Sequence, residues 1–304
     1  MLAGVAAAAY GTNPAFAVPL YADGMNPNSV LFFRYVLGIP ILAIMMAVRK
    51  MSFRLEVKEI VQVFVLGFLM ALSSLSLFQS YEYINSGVAS TLLFVYPIMV
   101  AFIMIFFFHE NFKSSLVVCF IFMIAGLIFL MRNNGEGGFS GYGFLLVMIS
   151  ALTYALYIVL VNISKTISGI PTTKLLFYVL LSGSLVFLFN ICLGTELTMP
   201  AHKINWWNLI ALAVIPTVLS LACTSAAIQL IGSTPTAIFG ALEPVTAVVL
   251  SVVVLGQGIT ISEIIGGLLI IVATTIVVAS KSVDHFILHV RKMFPTHLLH
   301  HGKR

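Results

Sequence analysis

The sequence predicts an all-α integral membrane protein with ten transmembrane helices, arranged as a 5+5 inverted-topology repeat. Of its 304 residues, 61% are hydrophobic and 8% are charged, whereas a soluble domain carries about 25% charged residues. Apolar runs follow one another along the chain, and many reach the roughly 20 residues that cross a bilayer as a helix. These runs are too continuous for the alternating strands of an outer-membrane barrel.

Polar and turn residues divide the apolar runs into candidate spans. The ten spans lie near residues 1–20, 28–48, 60–82, 86–108, 114–131, 141–163, 173–193, 207–230, 234–255 and 260–279. Five spans in each half predict a first repeat over 1–133, a second repeat over 134–280, and a basic cytoplasmic tail over 281–304.

The basic residues indicate the orientation, because Lys and Arg concentrate in short cytoplasmic loops. With the N-terminus inside, the inner links and the tail hold twelve of the fifteen Lys and Arg residues. Arg132 and Lys203 fall in outer links, and Arg34 lies within the second span. We therefore expect both termini in the cytoplasm and the chain in the plasma (inner) membrane. The net charge of +5 then reflects topology, and no nucleic-acid partner is expected.

One offset of 147 residues aligns features of the two halves. It pairs Tyr10 with Tyr157, and Pro97 with Pro244. Because each half has an odd number of predicted spans, the second half would run in the opposite direction through the membrane. The shared offset therefore predicts an inverted repeat.

Glu243 is the principal candidate for a functional residue. It lies about ten residues into the ninth span, roughly 15 Å deep at 1.5 Å per residue, which is close to the midplane. An ionisable side chain there costs about 2.5 to 3.5 kcal/mol, so it is a functional candidate that could bind a proton or a cationic group. The alternative is a structural glutamate that is protonated or hydrogen-bonded and locks two helices.

Two prolines within the spans predict broken helices. Pro97 and Pro244 each remove one helical hydrogen bond and free the carbonyls of Leu93 and Gly240, four residues earlier. In lipid these carbonyls need polar partners, so we expect them beside a polar cavity. Tyr96, just before the first proline, is the predicted counterpart of the acid in the second half. The alternative is a pair of ordinary kinks.

Other polar residues within the spans could line the same cavity, or could hold neighbouring helices together by hydrogen bonds. These candidates are Tyr10, Asn13 and the helix-breaking Pro14 in the first span, Gln79 in the third, Tyr154 and Tyr157 in the sixth, and Thr224 in the eighth. Arg34 allows two interpretations. It could extend to the outer surface, or it could be a counter-ion for an anionic ligand.

The sequence offers no motif for a metal ion or a cofactor. It has no HExxH pattern and no Asp within the spans, and its three cysteines all lie in apolar runs. An intramembrane enzyme would need a nucleophile with a base, or a metal cluster. We therefore expect neither cofactors nor enzymatic activity.

Two stretches, residues 78–110 and 225–257, resemble the paired segments of EamA-type transporters of the drug/metabolite transporter (DMT) superfamily. The opening at residues 7–14, which ends Tyr-Gly-Thr-Asn-Pro, is similar to that family's first-helix signature. The resemblance implies a central cavity lined by spans one, three, four, six, eight and nine. Its Glu-Pro motif corresponds to residues 243–244, while residues 256–257 are Gly-Gln where the family commonly has Gly-Glu.

The resemblance implies a secondary transporter that exports small metabolites such as amino acids or related compounds. Transport would proceed by alternating access around a midplane cavity, with proton coupling as one option. The expected partners are a small-molecule substrate, the lipid bilayer and, with coupling, protons. The alternatives are an uncoupled facilitator, a non-transporting membrane subunit and an intramembrane enzyme.

Overall fold

The computed structural model describes residues 1–109, 114–131, 140–231, 236, 239, 240 and 242–276. The regular elements of this part of the chain are helices. In chain order they are α1 (Leu2–Gly11), α2 (Asn13–Ala22), α3 (Pro27–Val48), α4 (Val57–Ser80), α5 (Ser86–Leu93), α6 (Tyr96–Phe108), α7 (Ser114–Met131), α8 (Gly141–Ile163), α9 (Lys165–Ser168), α10 (Thr172–Cys192), α11 (Lys203–Ala213), a π-helical turn (Val214–Leu219), α12 (Ser220–Ile231), α13 (Leu242–Val253) and α14 (Ile261–Ile276).

The predicted class of a helical, multi-pass membrane protein is confirmed. Within the described residues, six helices are long and apolar enough to cross a membrane. They are Pro27–Val48, Val57–Ser80, Ser86–Phe108, Gly141–Ile163, Thr172–Cys192 and Lys203–Thr224. Three further apolar helices, in α7, α13 and α14, are shorter. The count of ten spans stays a prediction, and the predicted tail over 281–304 lies outside the described residues.

Proline divides the predicted first span into α1 and α2. Pro14 has no N–H to donate to the carbonyl of Tyr10, which a helical residue at that position would do. The side-chain Nδ2 of Asn13 donates to this carbonyl instead, at 2.8 Å. Thr12, between the two helices, donates its hydroxyl to the carbonyl of Ala9 at 2.6 Å. The side chain of Asn13 thus replaces the backbone donor that Pro14 lacks.

Helices from the two predicted repeats pack against each other throughout the bundle. The helix α4 contacts α8 and α10, α3 contacts α10, α1 contacts α12 and α13, and α5 contacts α13. One continuous core includes the buried rings of Tyr35 and Phe187, which meet edge to face with centroids 5.0 Å apart. Ser73 and Ser150 each donate a hydroxyl to the other's carbonyl across α4 and α8, at 3.0 and 2.8 Å. The two halves therefore share a core.

Glycines allow α7 and α14 to approach closely. A Cβ on Gly126 would lie 2.8 Å from the carbonyl oxygen of Gly266, and a Cβ on Gly266 would lie 2.7 Å from the carbonyl oxygen of Gly126. Only glycine fits both positions, because real Cβ atoms do not approach a backbone oxygen so closely. Small residues at helix contacts are the usual means of close packing in membranes, where lipid offers no hydrophobic drive.

Asp23 joins the end of α2 to the start of α11. Its carboxylate accepts the backbone N–H of His202 at 3.1 Å and contacts the Nδ1 atom of the same residue. Hydrogen bonds from Asn205 and His202 hold the pKa of the Asp23 carboxyl well below its ordinary value. The charged carboxylate therefore stabilises the folded protein.

We expect Asp23→Asn to lower the thermal unfolding temperature at about pH 7. A carboxyl whose pKa is lowered by folding stabilises above the unfolded value of about 3.9 and loses this effect as pH falls. The difference between variant and wild type should therefore shrink at about pH 3. Thermal unfolding of the purified variant and wild type at both pH values measures this difference. Glu196→Gln, an exposed carboxylate near the same connection, is the control. A deficit that is independent of pH would contradict the assignment.

Candidate functional site

A cavity of about 250 Å³ lies where α1, α8, α12 and the broken helices of both halves meet. Its wall combines small, aromatic and hydroxyl-bearing residues with a single carboxyl. The lining residues are Ala3, Ala6, Ala7, Tyr10, Leu93, Tyr96, Tyr154, Ser220, Thr224, Thr236, Gly240 and Glu243. The cavity therefore brings together residues that are far apart in the sequence.

Glu243 occupies the first turn of α13, directly before Pro244. Since the proline cannot donate to the carbonyl of Gly240, the backbone N–H of Glu243 does so, at 3.0 Å. The side chain is half-buried and lines the cavity. Within the described part of the chain, no hydrogen bond or ion pair engages its carboxyl. The N-terminal end of a helix favours a negative charge at this position.

The break in the first half lies beside the same cavity. The helix α5 ends at Leu93, and α6 begins at Tyr96, with Pro97 as its second residue. The two residues whose carbonyls lack a helical partner across the prolines, Leu93 and Gly240, both line the cavity. The breaks therefore open onto the cavity, as polar groups within a membrane require.

Tyrosine rings form one wall. The rings of Tyr96 and Tyr154 meet edge to face, with centroids 4.8 Å apart and planes at 75°. Tyr10 and Tyr96 line the same cavity as Glu243. Aromatic faces attract cations, so this wall and the carboxyl favour the same kind of ligand group.

On another side of the cavity, hydroxyl groups of α12 face α1. Ser220 donates its hydroxyl to the carbonyl of Ala6 at 2.9 Å, and Thr224 donates to the carbonyl of Ser220 at 2.8 Å. Because both protons are already directed to carbonyls, the oxygens can offer only lone pairs to a ligand. The alanines of α1 leave space beside them. This side of the wall therefore presents acceptors, which suits a ligand with donor groups.

The structure brings five of the predicted site residues to the cavity, all of them half-buried. They are Tyr10, Tyr96, Tyr154, Thr224 and Glu243. Sequence reasoning missed Ser220, although its spacing of four residues from Thr224 places both on one helix face. It also missed the alanine stripe of α1, because small apolar residues carry no chemical signal of their own.

Three of the eight predicted substrate-binding residues do not line the cavity, and the predicted counter-ion Arg34 does not line it either. Asn13 is buried at the break between α1 and α2, where its side chain donates a hydrogen bond to the carbonyl of Tyr10. Tyr157 lies behind Tyr154, with ring centroids 6.0 Å apart, and packs into a separate cluster formed by α4 and α10. Gln79 is half-buried near the end of α4. Its polarity alone indicated nothing about which way it faces.

Arg34 does not extend to the surface, so this interpretation is wrong. The side chain is 5% exposed and is buried inside the bundle. Its Nε donates to the hydroxyl of Thr217 at 3.0 Å, and its guanidinium lies over the ring of Phe78 at 5.5 Å from the centroid. These contacts turn the side chain inward. The counter-ion interpretation stays a prediction.

A multi-pass helical protein whose broken helices meet at a partly polar cavity within the membrane has the form of a membrane transporter. The profile of the EamA-like transporter family matches residues 1–132 and 141–279, so the chain belongs to this family. The predicted resemblance is thereby confirmed, and the protein is a membrane transporter.

A curated relative and a solved structure agree with this membership. The uncharacterized transporter YdfC of Bacillus subtilis (strain 168) is 24% identical over 271 residues, which cover 88% of this chain and 87% of the relative. A crystal structure aligns with a TM-score of 0.65 and 17% identity, covering 91% of this chain and 96% of the other. At this identity the structural match shows the fold alone.

We expect Gly11→Ala to destabilise the site. A Cβ on Gly11 would lie 2.5 Å from the carbonyl oxygen of Glu243, so α1 must move away from α13. Overpacking of this kind costs about 1–3 kcal/mol. Gly4→Ala in the same helix is the matched control, because its Cβ would make an ordinary contact of 3.5 Å with Leu242. The measurement is the thermal unfolding temperature of both variants, compared with that of wild type. Equal unfolding temperatures would contradict the close approach of α1 to α13.

Proposed function

We propose that this transporter is a secondary transporter that exports small metabolites such as amino acids or related compounds. It would work by alternating access around the cavity at Glu243, coupled to protons, and would move its substrate unchanged. The observation that carries the proposal is the Glu243 carboxyl, which lines a cavity at a helix break without a partner among the described residues.

The surroundings of Glu243 suit an exchange between a proton and a cationic group. A carboxylate inside the membrane needs a compensating positive charge. A proton can supply it, and so can an ammonium group, which the tyrosine rings and the hydroxyl lone pairs would also accept. Proton and substrate then compete for one site, which is the simplest form of coupled exchange.

We also propose the 5+5 inverted repeat, with repeats over 1–133 and 134–280. Its support is the family match in two stretches of similar length, and the packing of α5 against α13, the proline-associated helices of the two halves. In such an architecture, one half rocks against the other around a fixed central site.

We also propose which membrane holds the chain and how its termini are oriented. Twelve of fifteen basic residues fall in the links and tail that face inward if both termini are cytoplasmic. This distribution supports a location in the plasma (inner) membrane with both termini inside. Export is the direction that the resemblance to EamA-type transporters implies.

We expect Glu243→Gln to remove the pH dependence of transport and to weaken binding of cationic substrates roughly 10-fold or more, because a charge-assisted hydrogen bond is lost. The measurement is exchange of radiolabelled amino acids in proteoliposomes across a range of pH. Glu82→Gln, an exposed carboxylate in the link after α4, is the matched control.

Unchanged rate and pH dependence in correctly inserted Glu243→Gln protein would remove Glu243 from the mechanism. The uncoupled facilitator is tested in the same vesicles. If collapse of the proton gradient leaves wild-type accumulation unchanged, the protein is a facilitator and not a coupled transporter.

A further inference from the structure

We propose that Arg34 forms the anion-binding pole of the transport site, and that the substrate places a carboxylate on its guanidinium. The inference rests on the proposed function, since it assigns a second charged contact to the substrate that binds at Glu243. It narrows the substrate class to metabolites that carry both an amine and a carboxylate.

Arg34 is a buried cation without a carboxylate partner among the described residues. Arg34 is the eighth residue of α3, roughly 10 Å from its start, and is 5% exposed. Among the residues that the structure describes, no carboxylate lies within ion-pair distance of its guanidinium. A buried charge in a membrane helix is costly unless it is paired, so it marks a functional site by default. A substrate carboxylate would supply the missing charge.

Thr217 orients the guanidinium of Arg34 before any ligand binds. Thr217 lies in the π-helical turn Val214–Leu219, and π-helical turns are frequent at functional sites. Its hydroxyl donates to the carbonyl of Leu212 at 3.1 Å, so its lone pair is left for Nε of Arg34 at 3.0 Å. With Nε engaged, Nη1 and Nη2 remain as two parallel donors. This pair matches the two oxygens of a carboxylate.

Phe78 covers one face of the guanidinium. The ring of Phe78 is fully buried and lies 5.5 Å from the guanidinium carbon. A cation over an aromatic face is stabilised without losing its hydrogen-bond donors, which point outward from the plane's edge. An anion can therefore approach the edge while the ring shields a face from lipid and other side chains.

The π-helical turn links Arg34 to the cavity. This turn holds Thr217, the partner of Arg34, and contacts both α1 and α3. Ser220, the next residue after the turn, and Tyr10 of α1 both line the cavity. A carboxylate at Arg34 and an amine at Glu243 would together match the two charges of a zwitterion.

The competing explanation is that Arg34 only fastens α3 to the π-helical turn through Thr217. A structural role would change the stability of the protein but would not change which ligands it prefers. The decisive quantity is therefore a ratio measured within each variant: the affinity for an L-amino acid divided by the affinity for its carboxamide, which lacks the negative charge.

The experiment measures this ratio by ligand-dependent thermal stabilisation of the purified full chain, with the proteinogenic L-amino acids and their carboxamides as probes. We expect wild type to prefer acids about 10-fold or more, and Arg34→Gln to lose this preference, because a bidentate charge-assisted contact is removed. Arg34→Lys should keep part of it. Arg49→Gln, an exposed arginine at the end of α3, is the control and should equal wild type.

Thr217 gives a second test that retains the buried charge. Thr217→Val removes the acceptor that orients Nε and should lower the ratio, whereas Thr217→Ser should restore it. An unchanged ratio in Arg34→Gln, or in Thr217→Val if Arg34→Gln does not fold, would overturn the anion-binding role.

The outcomes separate the two proposals. Equal affinity of wild type for acids and carboxamides would overturn the role of Arg34 and leave the proposed cationic site at Glu243 in place. A wild-type protein that responds to neither acids nor carboxamides would overturn both the role of Arg34 and the proposed class of amino-acid substrates.

Discussion

The structure depends on one constraint: inside a membrane, every backbone polar group and every charge needs a partner from the protein. A proline leaves one backbone carbonyl without its helical donor, and the helix breaks at Pro97 and Pro244 both lie beside one cavity. Pro244 leaves the carbonyl of Gly240 to the N–H of Glu243, which lies in the first turn of α13. The carboxyl is thereby held at a helix N-terminus and beside open space.

The two halves contribute to this site together. The acid comes from the second half, the tyrosine of α6 and the alanines of α1 come from the first, and α5 packs directly against α13. Because residues of both halves line the cavity, the proposed rocking of one half against the other would change the cavity itself. Glycines without room for a Cβ, as at Gly126 and Gly266, bring the backbones of α7 and α14 together without side chains between them.

Much of this was predictable from the sequence, and the exceptions have a physical reason. Long apolar runs predicted the helical membrane class, and depth along a span indicated Glu243. The direction in which a residue faces was harder to predict, since the spans are apolar around most of their surface and show no strong amphipathic pattern. Tyr154 and Tyr157 have similar chemistry, yet only Tyr154 lines the cavity. Arg34 is turned inward by Thr217, 183 positions away in the sequence.

The central claim is that the cavity at Glu243 opens in turn to both sides of the membrane. Thr224→Cys, in a background where Cys119, Cys192 and Cys223 are replaced by serine, tests it most directly, because this half-buried residue lines the cavity. A membrane-impermeant maleimide should label this position when added from either side, and an amino-acid substrate should protect it. Labelling from one side only, under all gradients, would contradict alternating access.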